Sequence, residues 1–293
     1  LVFLLMQLVP GDPIVNFLGA NATEEQIAHY TELFGYDQPV LVQYGKWIIG
    51  LFHGEMGRSV SLQREISEVI FQRLGVTLTI VIPAFLLAVI LGVVLGIIAA
   101  KKRGSKIDTV ISFFANIGMS MPMFWFGMLL IMLFALKLGI LPTSGLADAS
   151  DGTWAYVSHF ILPVIVLAMG PLAQFTRQTR SSMLEVIRQD YVTTARAKGV
   201  TKRDLTFKHQ LRNALIPIIT VMGVQLGGMI GGTVLVESIF VIPGLGNLMI
   251  TAIKGRDFMV VENGVLIIAI AVAICNLVVD ILYGIIDPRI RND

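Results

Sequence analysis

Five stretches of this 293-residue chain contain no Asp, Glu, Lys or Arg: 76–100, 109–136, 152–176, 213–236 and 263–279. Each approaches or exceeds the ~17–25 residues that a helix needs to cross lipid. A peptide backbone in hydrocarbon must satisfy its own hydrogen bonds, so these runs predict helices. A membrane β-barrel would alternate every second residue instead of running continuously apolar. Composition agrees: 14% of residues are charged, against about 25% in soluble domains. Residues 1–10 are apolar and cover about half a bilayer core. They read as the tail of a truncated first transmembrane helix, which makes six spans in an all-α membrane protein. The one cysteine, Cys275, excludes a disulfide or a cysteine metal site within the chain.

Charge sets the orientation. With the loops after the second and fourth spans and the C-terminus on the cytoplasmic side, that side holds 15 of the 22 Lys and Arg. They include Lys101, Lys102, Arg103, Lys106, Arg289, Arg291 and nine from Arg177 to Arg212. The opposite side is predominantly acidic. This is the positive-inside pattern, and it places both termini in the cytoplasm. Residues 11–75 then form an extracytoplasmic segment, and 76–293 the transmembrane domain. In the outer segment, Thr23-Glu24-Glu25-Gln26 predicts a capped helix start. Tyr44 and Trp47 read as interfacial anchors.

The segment 177–212 is the cytoplasmic feature of greatest interest. Met183, Leu184, Ile187, Tyr191 and Ala195 recur at helical spacing. Gly199 follows Arg196 and Lys198, a helix-stop pattern that uses glycine's left-handed freedom. Thr201 and Asp204 form a capping pair for a second helix carrying Leu205 and Leu211. The expectation is a helix–glycine–helix finger. The competing reading is an ordinary basic loop that holds orientation at lipid headgroups.

Several chemistries lack their motifs. The sequence has no Gly-x4-Gly-Lys-Ser/Thr phosphate loop, no His-Glu-x-x-His and no Gly-x-Ser-x-Gly. His29, His53, His159 and His209 are isolated in sequence. No catalytic or metal-binding residue is assigned. Charge inside the spans is scarce, with Glu262 and Asp280 at the edges of the last one, which favours an external energy source over ion coupling. Gly223, Gly227, Gly228, Gly231 and Gly232 give the fifth span a face of small residues for close helix approach. Asn116, Ser120, Met121, Pro122, Gln225 and Gly228 are candidates for a translocation path, with purely structural packing as the alternative.

Thr193-Thr194-Ala195-Arg196-Ala197-Lys198-Gly199, ending at Leu215-Ile216-Pro217, resembles the EAA loop of ABC importer permeases, in the form found in the dipeptide/oligopeptide branch. Thr193 stands where the motif has Glu, and the stretch from Gly199 to Pro217 is longer than in sugar-type permeases. The resemblance covers almost the whole chain. Leu8-Val9-Pro10-Gly11-Asp12-Pro13, Gly57-Arg58-Ser59, Met121-Pro122 with Phe124-Trp125, Leu141-Pro142-Thr143-Ser144-Gly145, Ile242-Pro243-Gly244-Leu245-Gly246 and Asp287-Pro288-Arg289 follow in the family's order.

The resemblance implies a type I ABC importer permease fold in a bacterial or archaeal inner membrane. It implies two ABC ATPase subunits or domains, a second homologous permease and an extracytoplasmic solute-binding protein. ATP and Mg would be held by the ATPases, so this chain would carry no cofactor; lipid is its other partner, and nucleic acid is not one. By the same resemblance, Tyr191, Thr193, Thr194, Ala195, Arg196, Ala197, Lys198, Gly199, Asp204, Leu205 and Pro217 couple the chain to an ATPase. The implied cargo is a dipeptide or oligopeptide, with nickel or another small solute as the alternative. A stand-alone channel or ion-coupled carrier is the rival of a different class.

Overall fold

The computed structural model describes residues 3–4, 13–19, 22–147, 150 and 152–286. The expected first-helix tail and the Asp287-Pro288-Arg289 motif lie largely outside them. The helices are α1 (Pro13–Leu18), α2 (Glu24–Phe34), α3 (Val40–Phe52), α4 (Ile66–Lys101), α5 (Lys106–Ser120) and α6 (Met123–Leu130). Then come α7 (Thr153–Val186), α8 (Asp190–Ala197), α9 (Lys202–Asp204), α10 (Arg212–Ile239), α11 (Leu245–Lys254) and α12 (Phe258–Ile286). Wider, π-type turns extend α6 through Ile131–Lys137 and join α9 to α10 through Leu205–Leu211. Among the described residues, four helices are long and apolar enough to cross a membrane, or five with the α5–α6 pair counted as one span. The chain divides into two compact units, one of Leu1–Leu78 with Pro243–Ala271 and one of Thr79–Ile242 with Val272–Asp293.

In the second unit the uncharged run 109–136 is not one straight helix. It breaks between α5 and α6 with a bend of 108°. Pro122 is the cause: its ring pushes the preceding residue out of the helical region. Met121 is accordingly extended, at φ −78° and ψ 124°, and Pro122 caps α6. This corrects the expectation of a continuous third span.

Close helix approach holds this unit together. A Cβ added at Gly92 would sit 2.7 Å from Phe175 Cβ. One at Gly96 would sit 2.5 Å from Thr179 Cβ and 2.7 Å from the Thr176 carbonyl oxygen. α4 therefore lies on α7 at a distance that only glycine permits. Of the glycine face on α10, Gly223 packs on Val279, Gly227 on Val272 and Gly232 on Leu167 and Met123, while Gly228 and Gly231 face open space. Three of the five glycines thus serve packing within the subunit.

One ion pair fastens α5 to α7. Arg180 donates from Nε and Nη2 to the two carboxylate oxygens of Asp108, at 2.6 and 2.8 Å. The Gly104 N–H donates to the same carboxylate at 3.0 Å. Asp108 is 5% exposed, so removing its cation strands a buried charge. Nearby, Ile97, Ala100, Met183 and Ala214 form a small apolar core.

The first unit is tied by side-chain hydrogen bonds. The capping box at Thr23 forms as expected: Thr23 Oγ1 accepts from Gln26 N–H, and Gln26 Oε1 accepts from Thr23 N–H. Gly35, at φ +71°, ends α2. α4 begins at Ile66, ahead of the uncharged run, and buries Ile66, Val69 and Ile70 against Leu245, Leu248 and Val260. Arg73 donates to the Pro243 carbonyl at 2.9 Å. The hydroxyls of Ser59 and Ser61 donate to Asp257 at 2.6 and 2.7 Å. Residues 243–271 pack in one compact unit with the N-terminal segment. Trp47 is more than an interfacial anchor, because its indole N–H donates to Asn263 Oδ1 at 3.3 Å. Glu262, expected at the edge of a span, is 3% exposed inside this unit.

Three variants test this packing. Gly96→Val should cut the yield of folded, membrane-inserted protein sharply, because the neighbouring atoms include backbone. Arg180→Met should destabilise by about 2 kcal/mol or more, and adding Asp108→Asn should recover part of that loss. Thermal unfolding in detergent measures both, and a purely additive double variant would contradict the pairing.

Candidate functional site

The finger is built differently from its expected form. α7 carries the chain out through Arg177 and Arg180 as far as Val186. Met183 belongs to α7 and is fully buried. Leu184 also lies on α7, and Ile187 is the residue that ends it. Gln189 is extended, at φ −73° and ψ 145°, and restarts the chain into α8 at Asp190. The predicted first helix is thus two helices with a short break at 187–189.

α8 has two faces. Val192 and Ala195, three residues apart, are buried with Leu205 in one cluster, flanked by Val186 and Val200. Thr193, Thr194, Arg196, Ala197 and Lys198 are exposed. Gly199 ends the turn at φ +77°, its N–H donating to the Arg196 carbonyl at 3.1 Å. The following Val200 N–H donates back to the Ala195 carbonyl at 3.3 Å. Nothing lies within 4 Å of a Cβ placed at Gly199. Backbone conformation, not space, therefore demands the glycine.

The second half starts as read from the sequence and then departs from it. Thr201 Oγ1 accepts from the Asp204 N–H at 3.2 Å and donates to Asp204 Oδ2 at 2.9 Å. Lys208 pairs with the same carboxylate at 2.8 Å, on the surface, where such a pair contributes little. The helix does not stop there. It runs from Lys202 to Ile239 without a break, so the finger's second arm and the fifth span are one rod. Pro217 lies inside α10 and is exposed; lacking an N–H, it leaves the Asn213 carbonyl without its helical donor.

A second tie closes the finger. Asn213 Nδ2 donates to the Tyr191 hydroxyl and to the His209 carbonyl, both at 2.9 Å. Tyr191 is therefore anchored to the foot of α10 while 41% of it stays exposed. Sequence reasoning passed over Asn213 and Val192. The three-residue step from Val192 to Ala195 was the available signal for a buried stripe. Asp108 and Arg180 left no such signal, being 72 residues apart.

The path candidates are less gathered. Met121 and Pro122 form the bend, and Asn116 and Ser120 are exposed on α5. Gln225 is half-buried and Gly228 exposed on α10. Among the described residues, no hydrogen bond joins Asn116, Ser120 and Gln225. No group of three or more His, Cys, Asp or Glu residues placed to hold a metal occurs among the described residues.

Comparison with known proteins follows the same geometry. Residues 92–292 match the family described as binding-protein-dependent transport system inner membrane component. Residues 1–81 match the corresponding N-terminal membrane-component family. The chain is 42% identical to the di/tripeptide transport system permease protein of Pseudomonas aeruginosa, covering 100% of this chain and 93% of that one. It is 40% identical to the dipeptide transport system permease protein of Escherichia coli K12, with the same coverage. It is also 40% identical to the oligopeptide transport system permease protein AppB of Bacillus subtilis, covering 99% and 93%. Among solved structures, a chain of the inward-facing MetNI methionine ABC transporter superposes with TM-score 0.61 at 18% identity, covering 75% of this chain and 96% of that one. The fold is therefore that of type I ABC importer permeases, and the chain belongs to the binding-protein-dependent transport system inner membrane component family.

Proposed function

We propose that this chain is the permease subunit of an ATP-driven, binding-protein-dependent importer of dipeptides or oligopeptides. The observation that carries the proposal is the finger of residues 187–212. Its inner face is locked by Val192, Ala195 and Leu205, while its outer face stays exposed and polar. An element so well ordered, yet unburied on one side, suits a partner that grips it.

The working assembly pairs this chain with a second homologous permease, two ATPase subunits or domains and an extracytoplasmic solute-binding protein. ATP and Mg are held by the ATPases. The chain sits in the inner membrane with both termini cytoplasmic. Motion of the ATPases pushes α8. The buried cluster and the Tyr191–Asn213 bond pass that push to the α9–α10 rod, which enters the membrane without a joint. The break at 187–189 lets α7 follow at a different angle, and the Asp108–Arg180 pair carries α5 along with α7. This is an alternating-access lever. The names of the relatives support peptide as cargo over nickel or another small solute.

The test is uptake of a labelled dipeptide into proteoliposomes carrying the full assembly. Uptake should require ATP and the binding protein. Gly199→Val, which forces a β-branched residue into a left-handed turn at a cost of about 1–2 kcal/mol, should lower uptake per ATP hydrolysed by about tenfold. Val192→Asp should abolish coupling by opening the buried seam. Uptake that persists without ATP, or a chain that never co-purifies with an ATPase, would instead favour a stand-alone channel or ion-coupled carrier.

A further inference from the structure

The first compact unit contains a cavity of about 370 Å³, within the ~300–1,000 Å³ of small-molecule sites. All of its described walls come from that unit. Phe3, Tyr36 and Trp47 supply aromatic surface, and Glu262 lines it from α12. Glu262 is 3% exposed and has no hydrogen-bond or ion-pair partner among the described residues. Burying a carboxylate without a partner is costly. Two neighbouring donors are already committed. The Trp47 indole serves Asn263 Oδ1, and the Asn263 amide serves the Met56 and Met259 carbonyls at 3.1 and 2.7 Å.

A second acceptor shares the cavity. Gln38 lines it, and its buried Oε1 has no partner. Glu32 and Glu55 also line it, against Lys46 as the basic residue, so the surroundings favour a cation. Two orphaned acceptors in an aromatic, acidic cavity match one ligand chemistry. An ammonium offers several donors and a charge, and aromatic faces attract it.

We infer that this cavity binds a protonated primary amine attached to an apolar group, with Glu262 and Gln38 as its acceptors. On the importer reading, which alone supplies the cargo's identity, the amine is the free amino end of a short peptide, met on the extracytoplasmic side before it enters the spans.

The experiment uses the complete transport complex in nanodiscs, with the binding protein left out. Equilibrium binding is measured for Ala-Phe, N-acetyl-Ala-Phe and phenethylamine. Ala-Phe and phenethylamine should bind, and acetylation should abolish binding. Glu262→Gln should weaken binding by about tenfold or more, the loss of a charge-assisted hydrogen bond. That variant should assemble normally, since a neutral isostere relieves a buried charge. Gln38→Met should show a smaller loss. Equal binding of the acetylated peptide, or unchanged binding by Glu262→Gln, overturns the proposal. Binding that emerges only in Lys46→Met makes Lys46 the resident cation and overturns it too. ATP-dependent uptake on the same preparation separates the two readings. Uptake without amine binding refutes the site and leaves the importer standing; amine binding without uptake of any peptide keeps the site and refutes the importer.

Discussion

Hydrocarbon offers a peptide group no hydrogen-bond partner, and the placement of this chain's breaks follows from that constraint. α4, α7, the α9–α10 rod and α12 run long because any interruption in lipid would strand backbone groups. Departures from the helix are concentrated where something answers for the loss. At Met121–Pro122 the Met121 N–H still reaches the Ile117 carbonyl. At 187–189 the Ile187 and Gln189 N–H groups reach the Met183 and Val186 carbonyls. At Gly199 the left-handed turn returns two N–H groups to the last turn of α8. The same constraint explains the glycines. With lipid as apolar as leucine, helices gain most by approaching closely, and Gly92 and Gly96 set that approach between α4 and α7.

The mechanical consequence lies in what is rigid and what is jointed. The α9–α10 rod runs as one helix from Lys202 to Ile239. α8 rides on that rod through three buried apolar side chains and the Tyr191–Asn213 bond. α7 is separated from α8 by three residues only. Asp108 and Arg180 join α5 to α7. The exposed face of α8 is thus tied through static contacts to α10, and Asp108 ties α5 to α7.

Legibility in the sequence tracked the range of the interaction. Thr23 with Gln26, Gly199 and the Thr201–Asp204 cap are decided within four residues, and each was readable. The uncharged runs marked the helices that are long and apolar enough to cross a membrane, one of them only as a bent pair. The bend at Met121–Pro122 lay inside such a run, where apolar continuity masked the proline's effect. The second arm of the finger read as a short helix because its basic surface differs from the apolar span that follows, although the backbone continues through both. Asp108 with Arg180, Asp257 with Ser59 and Ser61, and Asn263 with Trp47 join residues 72 to 216 positions apart. No local pattern encodes such partners. Glu262 lies near the start of the last apolar helix, as read, but its burial depends on segments from the N-terminal part of the chain, which no local pattern encodes.

The central claim is that the exposed face of α8 is the surface an ATPase grips. Photo-crosslinking tests it most directly, with a short-range crosslinker placed singly at Thr194, Lys198 or, as an internal control, the lipid-run residue Ile90. The account predicts crosslinks to the ATPase subunit from Thr194 and Lys198 in the assembled complex, none from Ile90, and a change in yield when ATP is added. Crosslinks from Thr194 and Lys198 only to lipid or to this chain itself, in a complex that still hydrolyses ATP and transports, would contradict it.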